Sequence, residues 1–368
     1  GKDIRSAVTE IKQANREKLI SNYVRANLGT TITPIEGLDI NFDYTFSLYN
    51  QSQHRAGGRV EAWDMFVSDP LHTWNSNVYG SSHNKVIRTS QYTMNNVFKA
   101  YATYNFDLKE KHNFKVMAGF DAESRERLGH YSEGRGMIST SLPEIGLTTD
   151  AEYARTNGSS YNYNKEFAAV GFFGRVNYDF MGKYLLEANV RYDGSSMFPD
   201  GKKFGFFPSF SAGWRASEES FFQWAKPALS DLKIRGSWGT IGNQDVAANT
   251  FISTMASGTS GWVVNGVNLL RLSAPTVISS ALTWEKVTTL DLGFDARFFN
   301  GDFGVTFDWY QRVTSDMHTA GVTLPSTFGA SVPKINYGEL TATGWELALD
   351  YSHKFSNGLG LNVRGSIS

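Results

Sequence analysis

The sequence predicts an all-β protein whose antiparallel strands run up and down as a transmembrane β-barrel. Apolar and polar residues alternate along many stretches, and successive side chains of a strand point to opposite faces. The polar face carries charges in place of a second apolar layer, which is typical of a wall between lipid and water. Short and long connections also alternate along the chain, as they do in a barrel with turns at one end and loops at the other.

The clearest alternation lies in two stretches, 290–298 and 303–310. Leucine, phenylalanine and alanine occupy the even positions of the first stretch, whereas Asp291, Gly293, Asp295 and Arg297 occupy the odd ones. Asn300-Gly301 between the two stretches is the strongest two-residue hairpin signal. The same alternation recurs at 38–48, 114–123, 184–193 and 206–215.

About twelve strands are predicted, and the polypeptide 1–368 is interpreted as one barrel domain. The predicted strands are 22–30, 38–50, 92–107, 113–127, 166–180, 183–194, 204–215, 230–241, 285–298, 303–315, 341–354 and 359–368.

The connections between these strands alternate between short and long, and a soluble β-sandwich has no reason to keep this alternation. The long ones, expected to be extracellular, are 51–91, 128–165, 242–284 and 316–340. The segment 216–229 lies among the short ones and is expected to hold a helical turn that Ser217 caps. Its Phe221, Phe222 and Trp224 lie either at the membrane–water boundary or packed over the strand ends.

Composition excludes several classes of function. The 368 residues carry a net charge of −1, so no basic excess points to nucleic acid. Cysteine is absent, which excludes disulfides, thiolate metal sites and a cysteine nucleophile. The mean hydropathy of −0.33 resembles that of a soluble protein. A barrel has this property too, because half of each strand faces water.

No motif indicates catalysis, and no cofactor or metal site is expected. The seven histidines are scattered without an HExxH, and no GxSxG is present. Gly236, Gly239 and Gly242 are not followed by the Lys-Ser/Thr of a phosphate-binding loop. The carboxylates of Asp291, Asp295 and Asp308 line one predicted face, which favours a hydrated wall over a paired acid and base.

Seven segments in the second half of the chain carry a family resemblance. They are RYDGSSMF (191–198), FFPSFSAGWRASEESFF (206–222), LSDLKIRGSWGTIGNQ (229–244), LTWEKVTTLDLGFD (282–295), TSDM (314–317), LPSTFG (324–329) and NYGELTATGWELAL (336–349). In this order they resemble the SusC/RagA-type TonB-dependent outer-membrane transporters of Bacteroidetes. Residues 1–183 resemble that family only in their general pattern and contain none of these segments.

The resemblance implies a 22-stranded barrel in the Gram-negative outer membrane, closed by an N-terminal plug domain. It also implies a segment that binds TonB and a SusD-like surface lipoprotein that acts as a lid. The chain contains neither plug nor TonB-binding sequence and stops within a strand at Ser368, so we expect it to be part of a barrel wall. The implied function is TonB-dependent import of oligosaccharides or, as an alternative, of peptides, and not catalysis.

Aromatic residues in the predicted long loops are candidates for substrate contact. Their polar surroundings, rich in Asn and Ser, suit the C–H faces and hydroxyl edges of sugar rings, and suit peptides nearly as well. The alternatives are packing within the loops and contact with the lid protein. The candidates are Trp63, Trp74, Tyr131, Tyr161, Tyr163 and Trp262.

Two other classes remain open from the sequence. One is a self-contained 12-stranded barrel, either a passive porin or an outer-membrane hydrolase, and the second is a soluble all-β binding protein. A hydrolase would need Ser, His and an acid at a common height in the barrel, which the sequence does not bring together. A soluble protein would tolerate a charge on either face of its exposed strands.

Overall fold

A computed structural model describes residues 3–4, 17–57, 60–64, 71–74, 85–139, 141–149, 164–226, 228–246, 250–321, 325, 327 and 332–368. The strands are β1 (Asp3–Ile4), β2 (Lys18–Ile35), β3 (Leu38–Gly57), β4 (Val60–Asp64), β5 (Leu71–Trp74), β6 (Lys85–Leu108), β7 (His112–Arg135), β8 (Asn164–Phe180), β9 (Tyr184–Ser195), β10 (Phe204–Arg215), β11 (Leu229–Asn243), β12 (Ser257–Val264), β13 (Val267–Leu272), β14 (Glu285–Phe298), β15 (Phe303–Ala320), β16 (Lys334–Lys354) and β17 (Gly360–Ile367). Short 3-10 helices span Ile145–Leu147, Ala216–Glu218, Ser220–Phe222 and Phe299–Gly301. Within these described residues, no helix is long and apolar enough to cross a membrane.

Twelve of these strands form one sheet in the order β17-β16-β15-β14-β11-β10-β9-β8-β7-β6-β3-β2. When β1, β4, β5, β12 and β13, which lie outside this sheet, are set aside, each strand of the sheet lies beside the strand that precedes or follows it along the chain. The pairs from β8 to β17 are antiparallel, with continuous register over most of their length. This meander confirms the predicted all-β fold, its strand number and its up-and-down order.

Two of the predicted long loops contain strands of their own. β1, β4 and β5 form a three-stranded sheet, and β12 pairs with β13 as a separate hairpin. The barrel strands also extend beyond their predicted ends, since β7 continues to Arg135 and β15 to Ala320. Pairing of backbone N–H and C=O groups continues where the apolar alternation stops, so side-chain pattern underestimates strand length.

The chain divides into two compact units. One comprises Gly1–Leu28, Tyr44–Val97 and Ser124–Glu166, and the other comprises Gly29–Asp43, Phe98–Glu123 and Phe167–Ser368. A cluster of Ala56, Val86 and Met137, with Ile145 packed on it, lies in the first unit. The second unit contains a cluster of Phe198, Phe207, Leu282 and Trp284. Both clusters are small, because most apolar side chains of the sheet are not covered by a second layer of the described chain.

The turns confirm the predicted alternation of short and long connections in the second unit. Residues 181–183, 299–302 and 355–359 link β8–β9, β14–β15 and β16–β17, and Asn300 and Gly301 have left-handed φ values of 56° and 98°. The connection at Asn300 comprises the four residues 299–302, as the predicted strand ends at 298 and 303 require. One expectation was wrong. Ser217 does not cap a helix, because it lies inside the short 3-10 helix Ala216–Glu218, where no side chain forms a cap hydrogen bond, and its hydroxyl donates to Asp231 Oδ1 at 2.6 Å.

Candidate functional site

The second unit presents a polar face built from alternate residues of β8, β9, β11, β14, β15 and β16. Strand register places Arg235 of β11 beside Gly293 of β14, Gly293 beside Asp308 of β15, and Asp308 beside Glu346 of β16. The polar face thus confirms the predicted common side of Asp291, Asp295 and Asp308. Sequence reasoning missed Arg235, although alternation along LKIRGSW places it on the side of Lys233 and Ser237.

Arg235 is the centre of an ion-pair cluster on this face. Its Nη1 lies 2.5 Å from Asp308 Oδ1 and 3.5 Å from Asp291 Oδ1, and its Nε lies 3.1 Å from Asp295 Oδ2. Its Nη2 also donates to Asp308 Oδ2 at 2.7 Å. One guanidinium therefore serves three carboxylates contributed by two strands, which its five N–H groups in a planar fork allow.

The arginine reaches Asp308 only because the strand between them carries glycine. Neighbouring strands are about 4.8 Å apart, so Arg235 and Asp308 are separated by about twice that spacing. A Cβ on Gly293 would collide with Asp308 Oδ1 and would lie 2.6 Å from the carbonyl oxygen of Phe307. Gly293 thus leaves the space in which the ion pair forms.

The same arrangement occurs twice more in the second unit. Arg297 of β14 lies beside Gly304 of β15, Gly304 lies beside Asp350 of β16, and Arg297 Nη1 contacts Asp350 Oδ2 at 2.5 Å. Arg191 of β9 contacts Asp121 of β7 at 3.0 Å and its own neighbour Asp193 at 2.7 Å. These cross-strand bridges place Arg191 on the same face as the other charges.

Polar groups continue along β8 and β9. Asn189 donates to Glu187 Oε1 at 2.7 Å, and Arg175 Nε donates to Asn189 Oδ1 at 2.5 Å. A groove of about 670 Å³ is lined by Glu187, Lys233 and Arg235 among other polar-face residues. Among the residues that the structure describes, no group of three or more His, Asp and Glu side chains is arranged to hold a metal ion. The face is suited to contact water and polar molecules.

The opposite, apolar face of the same strands is exposed. Ten of its large apolar residues are between 37% and 58% accessible. They include Phe172, Leu186, Val190, Phe206, Phe210, Trp238, Leu292, Phe294, Trp345 and Leu349. An apolar surface this continuous is not left in water by a soluble protein. The soluble alternative is therefore excluded by the arrangement of the two faces.

Aromatic rings are concentrated at both ends of the apolar face. Near the turns, Phe114 packs on Tyr178 at 4.8 Å and Phe298 on Phe303 at 6.0 Å between ring centroids. Toward the loops, Tyr192 stacks on Phe204 at 4.9 Å. Tyr184 and Tyr192 bound this stretch of β9, and the strand rise places them about 26 Å apart. That length fits the apolar band of about 25 Å that aromatic girdles flank in outer-membrane barrels.

At the loop end, residues of several resemblance motifs meet on the polar side. Trp284 Nε1 donates to the carbonyl of Lys203 at 2.9 Å, and its ring packs on Phe198 at 5.1 Å. Asn336 Nδ2 donates to the carbonyl of Thr283 at 2.8 Å, to which His318 Nε2 also lies within 2.7 Å. The motifs therefore hold the bases of three loops together, so their role at these contacts is structural.

The six predicted substrate-contact residues lie in different elements of the chain, and two of them fall outside the described residues. Trp63 and Trp74 lie in β4 and β5, and Tyr161 and Tyr163 lie outside the described residues. Tyr131 is in strand β7 and not in a loop. Trp262 lies in the β12–β13 hairpin with 81% of its side chain exposed. Its side chain is therefore largely exposed to solvent.

Tyr131 is engaged within its own strand. Its hydroxyl donates to Glu133, which is buried and also contacts Arg135 at 2.7 Å and Lys85 at 3.8 Å. Burial alone would raise the pKa of Glu133, but the hydrogen bonds from Tyr131 and Arg135 and the nearby positive charges lower it. Tyr131 therefore serves to hold a buried carboxylate, and its assignment as a loop residue was wrong.

Comparison with known proteins agrees with this geometry. The family model described as TonB dependent receptor-like, beta-barrel matches residues 11–368. The TonB-dependent receptor SusC of Bacteroides thetaiotaomicron is 28% identical over 85% of this chain and 30% of its own length. The TonB-dependent receptor P26 of Formosa agariphila is 30% identical over 67% of this chain and 24% of its own length. The chain thus spans less than a third of these relatives.

A solved structure shows the same fold. The RagAB peptide transporter superposes with a TM-score of 0.73 at 22% identity, over 95% of this chain and 36% of that one. Sheet topology, the two faces and these similarities together define a wall segment of an outer-membrane β-barrel. The chain belongs to the TonB-dependent receptor-like β-barrel family and is of the SusC/RagA type. Its apolar face is accordingly the lipid-facing side.

Proposed function

We propose that this chain is part of the barrel wall of a nutrient importer that works with TonB, and not an enzyme. The observation that carries the proposal is the separation of faces on one sheet, charged and bridged on one side and apolar on the other. Every backbone polar group within lipid needs a partner, and strands supply partners only to each other in a closed wall. In this proposal the turns are periplasmic and the long loops are extracellular.

The proposed substrate class is an oligosaccharide. Trp262 supports it, because an indole that is 81% exposed can stack on the C–H face of a sugar ring.

A peptide is the second candidate. It is supported by the similarity of the fold to the RagAB peptide transporter. The β12–β13 hairpin also offers free strand edges among the described residues, and an extended peptide can add to such an edge.

The same hairpin supports a protein partner at the loop end, which we propose to be a SusD-like lipoprotein lid. Its valines and leucines are exposed on both faces, with Leu270 at 76% and Val263 at 64%. A two-stranded hairpin is marginally stable in water without a surface to pack against.

Uptake of labelled oligosaccharides and peptides by intact cells tests the proposal. The expected result is uptake of oligosaccharide. This uptake is expected to stop when the gene for this protein or for TonB is deleted, or when the proton gradient is dissipated. Uptake that persists without TonB would favour the passive porin. Uptake of peptide but not of oligosaccharide would change the proposed substrate class to peptides and would still support the importer. Hydrolysis of a substrate by the purified protein would favour the hydrolase.

A further inference from the structure

The segment between β10 and β11 is held in place from both sides. The N–H of Arg215 donates to the carbonyl of Lys183 at 2.8 Å, and Tyr184 donates its hydroxyl hydrogen to Glu219 Oε1 at 2.8 Å. The Ser217 side chain is fully buried and donates to Asp231 on β11. The described residues 216–226 therefore form a fixed platform between the neighbouring strands.

This platform carries large apolar side chains that nothing in the described chain covers. Trp224 is 85% exposed and Phe221 is 61% exposed, and Phe221 leans on Trp214 with ring centroids 6.4 Å apart. Lys226 and Glu218 lie 3.8 Å apart beside them. An aromatic pair next to mixed charges matches the composition of a membrane interface, where one part of the ring is apolar and another is wet.

The platform continues the lipid-facing surface. Tyr184, to which it is bonded, ends the outward row of β9 that runs through Leu186 and Val190. On its other side, the N–H of Phe299 donates to the carbonyl of Ala228 at 3.0 Å, and Phe299 is itself 61% exposed. The exposed aromatic residues of the platform therefore lie between Tyr184 and Phe299, and they continue the row of aromatic residues at the turn end of the strands.

We propose that residues 216–226 are an interfacial anchor that inserts Trp224 and Phe221 among the phospholipid headgroups of the leaflet on the turn side. The occupant of this surface is lipid, because the surface is continuous with a face that already contacts lipid. The proposal rests on the membrane placement in the proposed function. Its consequence is that the anchor fixes the depth of the wall in the bilayer.

Fluorescence quenching in phospholipid vesicles that contain the full-length protein tests this. Single variants Trp224→Cys, Leu186→Cys and Trp262→Cys are labelled with the fluorophore NBD. Residues 1–368 contain no cysteine, and any cysteine elsewhere in the full-length protein is first replaced by serine. Quenchers are placed on the lipid headgroup, at carbon 12 of the acyl chain, and as iodide in water. We expect strongest quenching of position 224 by the headgroup probe, of 186 by the carbon-12 probe, and of 262 by iodide.

Three outcomes would overturn the anchor. Position 224 quenched by iodide as fully as position 262 would place it in water. Position 224 shielded from every quencher would show that protein covers it. In both cases, continued quenching of position 186 by the acyl-chain probe would leave the membrane wall intact. Loss of that quenching at 186 would overturn the membrane placement and the anchor together.

Discussion

Arg235 on β11 pairs with Asp308 on β15 across the intervening strand β14, with Nη1–Oδ1 at 2.5 Å and Nη2–Oδ2 at 2.7 Å. Gly293 lies between them in the register of the sheet. Strands of a sheet are otherwise joined only to their immediate neighbours. Bridges of this kind therefore tie next-nearest strands together on the wet side of the wall.

Gly293→Ala is expected to destabilise the barrel by about 1–3 kcal/mol, the usual range for overpacking. The added methyl group would meet the Phe307 carbonyl as well as the Asp308 side chain, so the backbone has to shift. The temperature at which the protein loses its compact, heat-modifiable form on a detergent gel measures this. Gly365→Ala is the control, because a Cβ there meets no atom within 4 Å. Equal loss in both variants would contradict the role of Gly293.

Leu186→Arg tests the lipid-facing side. Leu186 lies a quarter of the way along the apolar row that Tyr184 and Tyr192 bound, so the expected cost is at most the value of about 2–4 kcal/mol for arginine at the bilayer midplane, and it is smaller for Leu186→Asp. Leu185→Arg on the adjacent, polar side is expected to cost far less. Urea titration of folding into lipid vesicles measures both. Equal tolerance of the two substitutions would argue against a membrane wall.

Trp262→Ala is expected to weaken binding of an oligosaccharide substrate at least about fivefold, corresponding to about 1 kcal/mol for loss of a contact residue. Trp262→Phe should retain most of the affinity, because a smaller ring can still stack. Calorimetric titration of the purified transporter supplies the measurement. Unchanged affinity in the alanine variant would remove Trp262 from the substrate site.

Leu270→Asp is expected to reduce co-purification of the lipoprotein partner without lowering the amount of barrel in the membrane. The side chain is 76% exposed, so its loss does not open a core. Burial of a carboxylate against an apolar partner surface would be unfavourable. Leu270→Met, which keeps an apolar side chain of similar size at the same position, is the matched control. Normal co-purification of the Leu270 variant would show that the partner docks elsewhere.

The platform at 216–226 is expected to loosen in acid. The hydrogen bond from Tyr184 is the largest cause of a lowered pKa for Glu219, below its ordinary 4.5. A lowered carboxyl pKa means that the stabilising contribution is present above about pH 4.5 and is lost as pH falls through the folded-state value. The anisotropy of a label at Trp224→Cys should fall in that range. Glu219→Gln should flatten the pH response, and a response that it leaves unchanged would assign the effect to another group.

Alternation of side chains was enough to predict most of the fold. Rows such as Leu290 to Phe298 fix which face is apolar, and the chain order of turns and loops fixes the meander. The ends of β7 and β15 were not predictable in this way, because polar side chains continue in paired strands. Tyr131 was placed in a loop for that reason.

The cross-strand bridges and the platform depend on information that no local pattern contains. Gly293 lies between Arg235 and Asp308 only because of the register of three strands. Side-chain alternation does not determine this register, because a shift by two residues would keep the same faces. Ser217 has the residue type of a helix cap, but the segment folds into short 3-10 turns in which the Ser217 hydroxyl donates to Asp231 on β11. Local propensity there yields to tertiary contact.

The central claim, that this sheet separates lipid from water, is tested most directly by a spin-label scan along β9. Each residue from Leu185 to Val190 is replaced in turn by cysteine and labelled in the full-length protein in vesicles. Collision with oxygen, which concentrates in lipid, and with a water-soluble nickel chelate is measured at each position. A wall between lipid and water predicts frequent collision with oxygen at 186, 188 and 190, and with the nickel chelate at 185, 187 and 189. Nickel access at all six positions would contradict it.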